Sequence, residues 1–303
     1  MTSALQTFRR WFGSPRPTWA CEFTSSHVVV AGVDSSRARV SGRAAVPLPA
    51  GALVGSSSAR NIVNAEAVEA AAKEALRQAG ARGFEICVVI PDDAARIAFL
   101  TTENPPAKAA ERDAFVRWKL KKSLPFDADT AQMAYRILGP TPGDAKGVDM
   151  VVTLSPRTVV QEYEELLEKL GFHAGYVVPS TLAVIGLFDG GPAGGGDALL
   201  VKLTPESMTT TVFQNRRPRF YRRVGLGPLY DAVYPTVMYY QDKMNGAALS
   251  SAWVCGLAGD EAAQSAELQE KLGVTVRRME PRNIDDAYKP ALGALDFAWA
   301  KSI

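Results

Sequence analysis

Residues 198–213, A-L-L-V-K-L-T-P-E-S-M-T-T-T-V-F, read as a strand, a tight turn and a second strand. Such a hairpin cradles phosphate when its turn is glycine-rich, because backbone N–H groups then close on the oxygens, and when a carboxylate near the end of the first strand positions hydrated magnesium. Here Lys202 stands at the acidic position and the turn is Thr204-Pro205-Glu206. Proline removes an N–H donor, and Glu206 sets a negative charge where phosphate oxygens would lie. Together these residues oppose anion binding. Metal and thiol chemistry have less material still. Cys21, Cys87 and Cys255 each lie in an apolar run and read as buried strand residues in a reducing compartment, and His27 and His173 form no short-spaced cluster with them.

The elements that must position these residues belong to a chain of 303 residues, long for one core, so two domains are expected. Hydrophobic content of 47%, charged content of 22% and a net charge of +2 describe a folded chain with no global field for nucleic acid. No apolar run approaches the length of a bilayer span, and the N-terminus lacks a signal-peptide core, which predicts a cytoplasmic protein. Residues 1–18 form a tail in which Leu5, Phe8, Trp11 and Phe12 recur at helical spacing beside Arg9 and Arg10, a short helix for its own domain or for an anionic membrane surface.

Strands are predicted at 19–23, 27–33, about 37–47 and 85–90, with a helix over 65–79 stopped by Gly80. A small α/β insert follows over about 96–172. It holds a helix near 107–122, the turn Leu124-Pro125-Phe126, two strands, and an amphipathic helix over 156–170. A strand at 174–178 leads to a helix over 180–188 that Ser180 caps, and the glycine-rich run 189–197 is the best linker. The first domain thus spans 19–190. The second, 197–303, opens with the hairpin and ends in a closing helix over 288–300.

Two duplicated units with a linker between them and an insert in the first resemble the actin-like ATPase fold, which is ribonuclease H-like and duplicated. More specifically, the chain resembles the PilM-like proteins of type IV pilus assembly. F-V-R-W-K-L-K-K-S-L-P-F-D-A-D-T-A-Q-M-A-Y-R-I-L at 115–138 is similar to the family's insert, S-P-R-T-V-V-Q-E-Y-E-E-L-L-E-K-L-G-F followed by V-V-P-S-T-L-A to its returning helix, and Y-K-P-A-L-G-A-L to its closing helix. Against the family's pattern both phosphate loops have decayed. The first is Glu22-Phe23-Thr24-Ser25-Ser26, with a carboxylate and no glycine, and the second is the Lys202, Thr204 turn. A lone strand glutamate of this kind reads more often as a salt-bridged surface residue than as a metal ligand. Gly256-Leu257-Ala258-Gly259 is similar to the glycine-rich turn beside adenosine. The family's cleft-wall subdomain is missing between Gly227 and Tyr230, so the second domain is shortened.

The resemblance implies a non-catalytic cytoplasmic scaffold at the inner face of the bacterial inner membrane, in a type IV pilus or type II secretion-like assembly. Its implied partner is the short cytoplasmic N-terminal tail of a bitopic PilN-type protein, with Trp118, Leu124, Phe126, Tyr135 and Arg157 as candidate contacts. No cofactor, metal or nucleic acid is expected. The alternative is an ATP-binding member of the fold with nucleotide-gated assembly and at most slow hydrolysis. The related L-type protein of type II secretion normally continues into a membrane helix, which favours the PilM-like reading for a chain ending at Ile303.

Overall fold

The computed structural model describes residues 17–37, 39–141, 144, 146–188, 195–246, 248–256, 261–280 and 284–299. The N-terminal amphipathic segment, linker residues 189–194 and the turn residues Leu257, Ala258 and Gly259 lie outside them.

Five strands form the first sheet: β1 (Trp19–Phe23), β2 (His27–Val33), β3 (Val40–Pro47), β4 (Glu85–Ile90) and β8 (His173–Pro179), in the order β3-β2-β1-β4-β8. β1 pairs antiparallel with β2 and parallel with β4, and β4 parallel with β8. Both faces are covered, so the central strands are apolar runs rather than alternating ones. Helix α1 (Ala65–Ala79) packs on one face, where Cys21, Phe23, Val88 and Ile90 point. The period of two sends Ala20, Cys87 and Val89 to the opposite face, under the residues Leu182, Leu292 and Leu295. Glu22, two residues from Ala20, shares that second face.

The insert is a three-stranded antiparallel sheet, β5 (Arg96–Glu103), β6 (Gln132–Pro140) and β7 (Gly147–Ser155), in the order β5-β7-β6. Helix α2 (Ala109–Leu120) covers it with Val116 and Leu120, and a 3-10 turn, Lys121–Ser123, follows. Helix α3 (Arg157–Lys169) returns to the first domain, burying Val159, Tyr163, Leu166 and Leu167 in that core.

The second sheet repeats the first: β9 (Asp197–Leu203), β10 (Ser207–Gln214), β11 (Arg217–Gly225), β12 (Leu249–Cys255) and β13 (Val276–Arg278), in the order β11-β10-β9-β12-β13. Helices α5 (Leu229–Lys243) and α6 (Glu261–Leu272) belong to this unit. Only Leu226, Gly227 and Pro228 separate β11 from α5. Leu199, Val201 and Leu203 of β9 face the second domain's own core, whereas Ala198 and Leu200 join a core shared with the first domain. The same alternation turns Lys202 toward the first domain.

Helix α4 (Ser180–Leu187) and the closing helix α7 (Lys289–Trp299) lie against each other in that shared core. Gly293 makes the approach possible, because a Cβ there would stand 2.0 Å from the Ala183 carbonyl oxygen. The glycine of the A-L-G-A-L run is therefore a packing residue. The three cysteines are free and buried in strands, as their apolar neighbours predict.

Candidate functional site

The predicted hairpin forms, with β9 and β10 antiparallel and Lys202 opposite Thr209. Its lysine does not reach solvent. Lys202 is 4% exposed, and its Nζ donates to Asp92 Oδ2 at 3.0 Å and to Ser180 Oγ at 2.8 Å, with Thr181 Oγ1 at 3.5 Å. Ser180 Oγ in turn donates to Glu22 Oε1 at 2.7 Å. Asp92 accepts from the Thr181 backbone N–H at 2.8 Å and from its hydroxyl at 2.6 Å, and the Thr181 and Thr209 hydroxyls lie 3.1 Å apart. All six side chains are buried.

Each member is placed by a different element. Glu22 comes from the central strand β1 and Asp92 from the 3-10 turn Asp92–Ala94 just after β4. Ser180 and Thr181 open α4, and Lys202 and Thr209 lie on the facing strands of the second domain. The set is therefore an interdomain cluster.

Two expectations are corrected here. Glu22 is not a salt-bridged surface residue: it is 4% exposed, and burial pushes its carboxyl up to about 7 against the opposing pull of the Lys202 ammonium and the Ser180 hydroxyl. Ser180 does not cap its helix. Pro179 holds the cap position with no side-chain bond, and the Ser180 hydroxyl is committed to Glu22 and Lys202.

The turns above the cluster meet each other. Ser25 Oγ, from the β1–β2 turn, donates to Glu206 in the β9–β10 turn. Thr24 is spent on its own turn, donating to the His27 carbonyl at 2.9 Å and accepting from the His27 N–H at 2.8 Å. Thr204 does the same with Ser207. Gly256 ends β12 at φ +106°, and a Cβ would come within 2.0 Å of the Leu203 carbonyl oxygen, so this glycine serves the approach of β12 to β9.

A magnesium nucleotide does not fit these residues. An ammonium already fills the oxygen cluster, and a second cation there would meet it at close range. The turn that would receive phosphate carries proline and a carboxylate, and that carboxylate is bonded to the opposite turn. Ion pairs from β11 close the same boundary: Arg223 reaches Asp93, and Arg219 meets the buried Asp149 of the insert at 2.6 Å.

A second crevice differs in kind. A cavity of about 610 Å³ opens between the insert and the first domain, walled by residues 132–137 of β6 and 174–179 of β8. These are the outermost strands of their sheets, β6 bonded on one side to β7 and β8 on one side to β4. Apolar residues such as Val151, Val177 and Leu182 line it, with Arg112, Arg136 and Glu164 as its charged groups. Burial and the nearby Glu168 raise the Glu164 carboxyl. Tyr135 stands in this wall, its hydroxyl accepting from Arg112 Nε at 2.9 Å.

The other predicted contacts do not line the cavity. Leu124 and Phe126 pack half-buried on the insert core, Arg157 is exposed at the start of α3, and Trp118 stands 73% exposed on α2, with Phe115 as its ring neighbour. Sequence reasoning missed Asp92, Thr181 and Thr209. The acidic pair Asp92-Asp93 directly after a buried strand is the one signal that pointed there.

A duplicated five-stranded unit with its crossover helices defines the class: this is the actin-like ATPase fold, covering nearly the whole chain. Solved structures share this fold. The structure of a PilM–PilN type IV pilus biogenesis complex superposes with a TM-score of 0.73 at 16% identity, over 94% of this chain and 98% of that one. The cytoplasmic domain of EpsL, an inner-membrane component of the type II secretion system of Vibrio cholerae, gives 0.56 at 11% identity over 93% and 95%. A Bacteroides thetaiotaomicron protein with an actin-like ATPase fold and unknown function gives 0.55 at 9% over 96% and 98%. No family model and no curated protein matches the sequence. Among the described residues no helix is long and apolar enough to cross a membrane.

Proposed function

We propose that this chain is a non-catalytic actin-like scaffold of a type IV pilus or type II secretion-like assembly, working at the inner face of the inner membrane. Its task is to hold the short N-terminal cytoplasmic tail of a bitopic PilN-type protein. The observation that carries this reading is the cavity bounded by the outermost strands β6 and β8. An extended tail laid there would add a strand to either sheet, taking affinity from main-chain hydrogen bonds and selectivity from the apolar wall. Tyr135, held by Arg112, is the predicted contact that stands in that wall. The non-catalytic part rests on Lys202, since phosphoryl transfer needs a metal and an oriented nucleophile in the place its ammonium fills.

The test is calorimetric titration of the full chain with a synthetic peptide of that tail. Saturable binding in the micromolar range is expected. Ala134→Trp, which fills the cavity from an exposed position on β6, should abolish it. Equal binding by this variant, or no binding by the wild type, overturns the reading.

A further inference from the structure

We infer that Lys202 is a tethered cation between the two domains that keeps them closed on each other without any ligand. The inference stands apart from tail binding and concerns the boundary between the two domains.

The ammonium sits where three oxygens converge from the first domain, Asp92 Oδ2 at 3.0 Å, Ser180 Oγ at 2.8 Å and Thr181 Oγ1 at 3.5 Å, while its own backbone belongs to the second. Glu22 is one hydrogen bond further, through Ser180. Two carboxyl groups buried this close to each other call for a positive charge, and among the described residues no histidine, arginine or second lysine enters the cluster. A diffusible cation could meet the same demand, but it would come and go. A lysine side chain cannot leave.

The surroundings agree with a shut state. The Ser25–Glu206 bond joins the two turns over the cluster, and Arg223–Asp93 adds a pair beside it. Buried charges matched only by each other across a boundary penalise every arrangement that separates the domains, because opening leaves each unpaired until water replaces its partner. The boundary that a ligand would have to open is thus held by the chain itself.

Lys202→Met in the full chain tests this, with thermal unfolding and hydrogen exchange as readouts. The variant should lose about 5–10 °C in Tm. Exchange at the turns 24–26 and 204–206 should quicken by about tenfold. The triple variant Glu22→Gln/Asp92→Asn/Lys202→Met, which removes every charge from the cluster, should return close to the wild-type Tm. A single variant with unchanged Tm and exchange overturns the inference. A triple variant as unstable as the single one also overturns it, since the lysine would then act by packing alone. If the single variant does not fold, the triple variant decides: near-wild-type stability supports the tethered cation, and failure to fold overturns it.

Discussion

Two boundaries between lobes, among the described residues, have been treated in opposite ways. The one between the duplicated domains is filled with the chain's own polar side chains, Lys202, Asp92, Glu22, Ser180 and Thr181, all bonded to one another and buried. The one between insert and first domain is an open cavity of about 610 Å³ bordered by two outermost strands. Buried charge satisfied internally has nothing left to offer a ligand, whereas an outermost strand offers hydrogen-bonding groups along its length. The contrast teaches that the fold's name does not locate its function. On the proposed reading, the crevice that binds is the second.

The sharpest way to break the comparison is Asp92→Ala. It strands the Lys202 ammonium and the Thr181 N–H, and denaturant unfolding should register a loss of about 3–5 kcal/mol. A loss under a kilocalorie, roughly the scale of an exposed pair, would mean the cluster is wetter than its burial implies.

Next comes pH. Burial raises the Glu22 carboxyl from 4.5 to about 7, so the folded state holds a proton that the unfolded state releases first. The group's contribution is full below pH 4.5 and is lost as pH rises toward 7. Glu22→Gln should cancel that slope, leaving the variant the more stable above neutrality by up to about 3 kcal/mol. Parallel stability–pH curves for the two proteins would refute the assignment.

Ala134→Trp probes the other crevice. It should change unfolding stability by no more than about 0.5 kcal/mol, because the position is exposed, while removing tail binding. The smallest effect is expected from Trp118→Ala: the ring is 73% exposed and lies outside the cavity wall, so stability and tail affinity should both stay within about 0.5 kcal/mol of wild type. A clear loss of affinity would enlarge the binding surface to include α2.

Much of the fold was legible in the chain. The predicted strands at 19–23, 27–33 and 85–90 and the helix at 65–79 coincide with β1, β2, β4 and α1, since a long buried run or a glycine stop is a local signal. The altered chemistry of the hairpin was equally local, resting on Pro205, Glu206 and Lys202. The cluster itself was not. Ser180 looked like a helix cap and Glu22 like a surface residue, because side-chain type at a helix start or in a strand carries no record of what lies opposite. Of the contacts named from the sequence only Tyr135 stands in the cavity wall, because which strands become outermost is decided by sheet order and not by strand composition.

The sequence by itself determined the duplicated order of elements, the lack of a glycine-rich phosphate turn and the burial of the cysteines, because these depend on neighbours a few residues away. Only the tertiary structure decided that Lys202 and Asp92, 110 positions apart, form one ion pair, and that β6 and β8 border one cavity. The physical reason is range: propensity and turn chemistry act within a few residues, while desolvation and charge pairing depend on distances that exist only once the domains have closed on each other.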